Sequence, residues 1–112
     1  MNSKQLRETL NKLKERLNIT ESIRIELKPM KTRAASISLK KNTIRINKNL
    51  IAFLDNECIE YLILHELTHY KLKTTYHDSM FYKELNKWVS PAKAKELERK
   101  ILTSLLKLNH IL

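Results

Sequence analysis

The fold is decided by residues 55–73, DNECIEYLILHELTHYKLK, in the second half of the chain. Asp55 or Asn56 can cap a helix at this point, and the acidic residues that follow suit the positive end of the helix dipole. The centre of the segment contains the pattern HExxH, with His65 and His69 four residues apart. Residues at this spacing lie above one another on a helix, so both imidazoles can bind one ion. The segment therefore predicts a largely buried helix that carries a metal site.

The residue types of the HELTH segment match the chemistry of zinc. Zinc binds neutral imidazole nitrogen at about 2.0–2.1 Å, and catalytic zinc sites use three protein ligands and a water. Glu66 follows the first histidine and can accept a proton as that water attacks a carbonyl polarised by the metal. A shuffled chain of this composition would contain HExxH roughly 1% of the time. We therefore predict one zinc ion per chain, held by His65 and His69, with Glu66 as the general base.

A third ligand is needed, and two residues of different chemistry compete for the position. His77 lies eight residues after His69, in the connector before the next predicted helix. Glu84 lies fifteen residues after His69, within that helix. A histidine in the connector can turn back to the metal while a carbonyl or carboxylate holds its second nitrogen. We predict His77 as the third ligand and keep Glu84 as the alternative.

The rest of the chain predicts an α+β fold. Leucines at helical spacing indicate an N-terminal helix over about residues 4–17, with Ser3 as its cap. From Ser22 to Asn47 apolar residues alternate with polar ones, which predicts a small three-stranded twisted sheet with a hairpin turn at residues 40–42. The HExxH helix follows this sheet, and two C-terminal helices follow the HExxH helix.

The first of these two helices is short and is predicted to begin after Asp78 or Ser79. Phe81 and Trp88 recur within it at helical spacing, which is typical of residues that face a core. Cys58, on the HExxH helix, is expected to be buried as a small hydrophobic residue, without a role as a ligand.

The C-terminal segment, about residues 91–112, is predicted to be a helix that completes a single domain over residues 1–112. Ser90 followed by Pro91 is a strong start signal, a cap and then a proline in the first helical position. The apolar face of this helix consists of Leu97, Ile101, Leu102, Leu105, Leu106, Leu108, Ile111 and Leu112. Three arrangements remain open: the helix packs on the core of residues 1–90, covers the active-site cleft, or crosses to a second chain in a homodimer.

The order of sheet, HELTH helix, connector and the segment HDSMFY (residues 77–82) resembles the minigluzincins. These are small soluble zinc metallopeptidases, similar to the catalytic domains of the HtpX and CAAX-prenyl-type membrane peptidases. His77, Phe81 and Tyr82 also follow a pattern that is similar to YgjP-like and SprT-like domains. The resemblance covers roughly residues 20–90, and HExxH is its most specific motif.

This resemblance implies an endopeptidase that acts on protein or peptide substrates, with His77 as third zinc ligand and a C-terminal segment that maintains latency. It also implies that a rim strand of the sheet, either residues 35–39 or residues 43–47, pairs with the extended substrate. A donor that stabilises the oxyanion is expected as well. Tyr76 and Tyr82 flank the third ligand and are the two candidates for that donor.

Composition excludes several other classes of enzyme. The chain has 112 residues and contains no glycine. A P-loop, the GxGxxG turn of dinucleotide-binding folds and the GxSxG nucleophile elbow each need glycine at fixed positions. The HExxHxxGxxH pattern of metzincins is excluded for the same reason.

The distribution of charge and the length of the apolar runs indicate the cellular location of the protein. The net charge of +10 is spread over every predicted element, which favours a solvated surface over a nucleic-acid interface. The N-terminus lacks an apolar leader, the longest apolar run covers only residues 50–54, and the single cysteine cannot form an internal disulfide. We expect a cytoplasmic protein without a membrane span.

Two function classes follow from these residues. The first is a zinc endopeptidase, in which Glu66 is needed for turnover. The alternative is a basic binding module that zinc stabilises, or a SprT-like protease that acts on protein bound to nucleic acid. Glu66 favours the first class, because a purely structural zinc site has no use for a carboxylate beside its first ligand.

Overall fold

The computed structural model describes residues 1–111, and within them the chain forms four α-helices and one three-stranded sheet. In chain order the elements are α1 (Ser3–Arg16), β1 (Arg24–Lys28), β2 (Ala35–Ser38), β3 (Thr43–Asn47), a 3-10 turn (Ile51–Phe53), α2 (Asn56–Leu72), α3 (Ser79–Leu85) and α4 (Pro91–Ile111). This order confirms the predicted α+β fold. Leu112 and the side chain of Ile111, both part of the predicted apolar face of the last helix, lie outside the described residues.

Helix α1 begins one residue before its predicted start, and Asn2 caps it in place of Ser3. The side-chain oxygen of Asn2 accepts a hydrogen bond from the backbone N–H of Gln5 at 2.9 Å, and the Gln5 side chain accepts one from the Asn2 N–H at 2.9 Å. The two side chains therefore satisfy each other's backbone donors. The caps predicted for the later helices are confirmed at Asp55, Asp78 and Ser90.

Strand β3 lies in the middle of the sheet, whose order is β1-β3-β2. β2 and β3 pair antiparallel, as the predicted hairpin requires, and β1 pairs parallel with β3. Of the two strands expected to reach substrate, β3 is therefore paired on both sides, and only β2 has a free edge.

The register of β2 shows which of its backbone groups are free. Ala35 stands opposite Ile46, and the Asn47 N–H donates to the Ala34 carbonyl at 2.9 Å. Ala34 and Asn47 are therefore a hydrogen-bonded pair, and such pairs alternate with non-hydrogen-bonded pairs along an antiparallel ladder. The N–H and C=O groups of Ala35 and Ile37 therefore point away from β3, along the free edge of the sheet.

Helix α2 crosses the middle of the molecule and packs against α1, α3, α4 and β2. Ile59, Ile63 and Leu67 are fully buried, and Cys58 is buried as predicted. Burial raises the pKa of the Cys58 thiol to about 11. Because close-packed neighbours enclose most of this helix, its polar residues project from a rigid base.

Helix α4 packs against α2 and shares its core. Its buried residues are Ala94, Leu97, Ile101, Leu105 and Leu108. Much of the predicted apolar face therefore packs within the same chain. Across the described residues, none of the helices has both the length and the apolar character that a membrane span requires.

The prediction for Trp88 is wrong. Helix α3 ends at Leu85, so Trp88 lies in the turn beyond it and is 42% exposed. The helical spacing used to place Trp88 does not extend to this residue. Phe81, which does lie on α3, is fully buried as predicted.

Candidate active site

Three imidazoles meet beside the C-terminal half of α2. His65 and His69 project from α2, and His77 comes from the connector between α2 and α3. Their ligand atoms all lie within 4.8 Å of one another. His69 Nε2 and His77 Nε2 are 3.1 Å apart, close to the separation of about 3.3 Å expected for two nitrogens on one tetrahedral zinc ion. The donor set and the spacing fit zinc, and the structure brings together the three residues predicted as ligands.

Phe81 forms the floor beneath the three imidazoles. Its ring stacks on His69 with centroids 4.4 Å apart and planes inclined by 27°. The rings of His65 and His77 each meet Phe81 edge-on, with centroids 5.0 Å away. Since Phe81 is fully buried, it restrains the orientation of all three rings from below.

The backbone holds the buried His69 in one tautomer. Its Nδ1 lies 2.9 Å from the carbonyl oxygen of Thr74. A carbonyl can only accept, so Nδ1 carries the proton and Nε2 keeps the lone pair that a metal needs. Burial, and next the charge of His65, lowers the pKa of His69. Both effects favour the neutral imidazole near neutral pH.

Glu66 lies beside the imidazoles without belonging to their ligand cluster. It is 7% exposed, and its Oε1 is 3.5 Å from His65 Nδ1. The residue lines a cleft that also exposes the histidines. A carboxylate in this position can receive a proton from a water molecule in the cleft.

Glu84, the alternative third ligand, lies outside the histidine cluster. Its Oε1 is 3.2 Å from the Lys71 ammonium and its Oε2 is 3.3 Å from the Lys87 ammonium. Burial alone would raise the pKa of Glu84, but the two ammonium groups together outweigh burial and lower it. Glu84 is an ion-paired carboxylate between α2 and α3, so the geometry favours His77 as the third donor.

The histidine cluster opens into a cleft of about 790 Å³. Strand β2 forms one wall and brings its free edge to the cleft. Helix α4 forms another wall through Glu98, Ile101, Leu102 and Leu105. A peptide that pairs with the edge of β2 would therefore enter this cleft and meet α4.

A hydrogen bond joins α2 to α4 inside the cleft. The Tyr61 hydroxyl donates to Glu98 Oε2 at 2.9 Å. Burial, and next this carboxylate, raises the pKa of Tyr61. Sequence reasoning missed both residues. Tyr61 precedes His65 by one helical turn, a spacing that could have identified it, whereas no local pattern marks Glu98.

The two tyrosines predicted as oxyanion donors occupy different surroundings. Tyr82 lines the cleft and is 44% exposed, whereas Tyr76 is 74% exposed and does not line it. The Tyr82 ring meets Phe81 edge-on with centroids 5.4 Å apart, which ties it to the floor of the site. The geometry favours Tyr82 over Tyr76, and the role itself stays a prediction.

Comparisons with known proteins agree with this geometry. The family model of the YgjP-like metallopeptidase domain matches residues 2–101. The uncharacterized protein MJ0123 of Methanocaldococcus jannaschii is 42% identical over 105 residues, which are 94% of this chain and 96% of that relative.

Two solved structures are similar to this chain over most of their length. Jannalysin of Methanocaldococcus jannaschii, solved as a metallopeptidase zymogen, has a TM-score of 0.81 and 42% identity, covering 89% of this chain and 96% of its own. Abylysin of Pyrococcus abyssi, also solved as a metallopeptidase zymogen, has a TM-score of 0.83 and 32% identity. The match covers 90% of this chain and 95% of the abylysin chain. These matches confirm the predicted resemblance to small metallopeptidases. The chain belongs to the YgjP-like metallopeptidase family.

Proposed function

We propose that this chain is a zinc-dependent endopeptidase in which His65, His69 and His77 hold one zinc ion and Glu66 is the general base. The observation that carries the proposal is the meeting of the three imidazoles beside Glu66, in a cleft bordered by a free strand edge. Structural zinc sites are normally closed by four protein ligands, whereas the cluster found among the described residues has three. This ligand count favours catalysis over a zinc-stabilised binding module.

The residues of the site divide the chemistry between them. Zinc, when bound, supplies a Lewis acid that polarises the scissile carbonyl and makes water a competent nucleophile near neutral pH. Glu66 takes a proton from the attacking water and passes it to the nitrogen of the leaving amine. The Tyr82 hydroxyl donates a hydrogen bond to the oxyanion that develops at the scissile carbonyl.

The substrate in this proposal is an extended segment of protein or peptide. The outward backbone groups of Ala35 and Ile37 offer donors and acceptors for strand addition. The α4 wall adds apolar surface from Ile101, Leu102 and Leu105. Main-chain pairing with β2 fixes the direction of the substrate, and the apolar wall favours a large aliphatic or aromatic side chain near the scissile bond.

We also propose that α4 keeps the enzyme latent by narrowing the cleft. The support is that α4 lines the cleft next to the histidines and is joined to α2 by the Tyr61–Glu98 hydrogen bond. Jannalysin and abylysin were both solved as zymogens, which agrees with this reading.

Leu102 offers a test of latency that leaves the core intact. Leu102 and Leu106 are 55% and 60% exposed on the same helix, but only Leu102 lines the cleft. Leu102→Ala should raise the cleavage rate of a general protein substrate several-fold, because it widens the cleft without emptying a core position. Leu106→Ala is the matched control and should leave the rate unchanged. Equal rates in both variants and the wild type would contradict latency through this wall.

The zinc site and the base are tested together by zinc content and cleavage. Elemental mass spectrometry should find one zinc per chain in the wild type and in Glu66→Gln, and much less in His77→Ala. Glu84→Gln should keep its zinc and serves as the control for loss of a nearby polar group. Cleavage, measured in the wild-type and Leu102→Ala backgrounds, should fall about 10²- to 10⁴-fold in Glu66→Gln. Full zinc in His77→Ala, or normal cleavage by Glu66→Gln, would refute the assignment.

A further inference from the structure

The turn after α2 contains an unusual backbone conformation at Lys73. This residue has φ 52° and ψ 42°, in the left-handed region. Among the described residues, the others with positive φ are Asn18 and Asn42. Asparagine tolerates this region well, whereas a lysine normally avoids it because its Cβ crowds the backbone. The left-handed residue that ends many α-helices is usually glycine or asparagine, whereas here it is a lysine, in a chain that contains no glycine.

The left-handed turn carries the backbone directly back to His69. The Lys73 N–H donates to the Tyr70 carbonyl at 3.1 Å, and the Thr74 N–H donates to the His69 carbonyl at 3.1 Å. These bonds place the Thr74 carbonyl oxygen 2.9 Å from His69 Nδ1. An extended conformation at residue 73 would send the chain away from the helix and remove this acceptor.

Two side chains hold Lys73 in place, and we name Glu21, Tyr70 and Lys73 the Lys73 bracket. The Lys73 ammonium lies 3.2 Å from the centroid of the Tyr70 ring and 3.7 Å from Glu21 Oε2. The Tyr70 hydroxyl donates to the same Glu21 oxygen at 3.0 Å. Tyr70 is 2% exposed, so the bracket rests on a fixed ring. These contacts stabilise the Lys73 side chain only modestly, because the Lys73 and Glu21 side chains are each more than half exposed.

We propose that Lys73 is a positioning residue of the zinc site, acting through the carbonyl of Thr74. Its left-handed conformation keeps that carbonyl on His69 Nδ1, and so fixes both the tautomer and the ring orientation with which Nε2 faces the metal. The inference rests on the proposed zinc site and concerns the affinity of the site for zinc. It assigns a function to a turn that lies outside the HExxH motif.

The test compares substitutions that differ in their access to the left-handed region. Lys73→Gly and Lys73→Asn adopt it readily, whereas Lys73→Val disfavours it because of its branched Cβ. Zinc affinity is measured on folded protein by competition with a chelating dye, alongside the thermal unfolding of metal-free protein. Lys73→Val should bind zinc about 10- to 100-fold more weakly, whereas the Gly and Asn variants should remain within about threefold of the wild type. Lys83→Val, an exposed lysine on α3, controls for loss of charge and for the branched side chain.

The outcomes separate this inference from the proposed function. Wild-type zinc affinity in Lys73→Val would overturn the role of Lys73 while leaving the zinc site intact. Equal weakening in all three variants would also overturn it, because the backbone conformation would then not be the cause. No zinc in the wild type would overturn the zinc site and this inference together. If Lys73→Val does not fold, Lys73→Ala, which disfavours the left-handed region less strongly, makes the same comparison with Lys73→Gly.

Discussion

Asn47 is expected to be a strong determinant of stability, because it holds the loop that leads into β2. It is fully buried at the end of β3. Its side-chain N–H₂ donates to the carbonyls of Met30 at 3.0 Å and Arg33 at 2.8 Å. Its side-chain oxygen accepts from the N–H of Asn49 at 3.0 Å and of Met30 at 3.4 Å. One side chain therefore satisfies four backbone groups, three in the loop between β1 and β2 and one in the turn after β3.

The expected effect of Asn47→Ala follows from these bonds. At about 1 kcal/mol each, four lost hydrogen bonds reduce the free energy of unfolding by about 4 kcal/mol. Water molecules that enter the site and bind the same backbone groups would recover part of this loss. This is a large part of the 5–15 kcal/mol that is typical of a domain. At roughly 4 °C per kcal/mol for a chain of this size, the melting temperature should fall by about 15 °C.

Urea unfolding monitored by circular dichroism measures this effect. The midpoint should fall while the slope with denaturant stays unchanged, since both proteins expose the same surface on unfolding. Asn49→Ala removes an exposed amide two residues away and should cost less than about 0.5 kcal/mol. A loss below about 1 kcal/mol for Asn47→Ala would refute the reasoning, because the loop would then hold its conformation without this side chain.

Three further predictions concern pH, thiol reactivity and assembly. The pKa of Glu84 lies below its ordinary value of 4.5 in the folded state. Its ion pairs should therefore add stability at pH 7 that disappears as pH falls through the lowered pKa. In urea unfolding, the difference in stability between wild type and Glu84→Gln should be larger at pH 7 than at pH 3. Cys58 is buried and has its pKa raised to about 11, so a thiol reagent at pH 8 should label it only after denaturation. Leu102 and Leu106 lie exposed on α4, so a homodimer through this helix, one of the three arrangements that the sequence leaves open, predicts that Leu106→Lys converts dimer to monomer in analytical ultracentrifugation.

Each of these predictions has a clear contrary result. An equal stability gap at both pH values would mean that the Glu84 ion pairs contribute nothing to folding. Rapid stoichiometric labelling of native protein would show that the thiol is accessible. A wild type that sediments as a monomer at high concentration would refute a homodimer through α4.

The site was predictable from sequence where it depends on near neighbours along the chain. HExxH on a helix predicts two ligands and a base, because residues four apart share a face. The position of His77 in the connector and the resemblance to minigluzincins both favour His77 over Glu84 as the third ligand. The described structure supports that choice, since Glu84 is ion-paired with Lys71 and Lys87, outside the histidine cluster.

Other features could not be read from any local pattern. The partner of Tyr61 is Glu98, which lies 37 residues further along the chain. The bracket around Lys73 requires Glu21, which lies 49 residues before Tyr70. The helical spacing that predicts a core position for Trp88 fails because α3 ends at Leu85, three residues before it. These cases share one cause, since a contact between distant segments depends on how whole elements pack.

The sequence by itself determined the order of helices and strands, most of the caps and the pairing of His65, His69 and Glu66 on one helix, because hydrophobic period, capping and helical spacing act within a few residues. Only the tertiary structure decided that β3 is the central strand and that β2 is an edge strand. It alone decided that α4 forms a wall of the cleft and that Lys73 turns the backbone onto His69. Strand order, helix docking and the backbone contact that orients the His69 ring depend on long-range packing. The energy of that packing is shared among residues far apart in the chain.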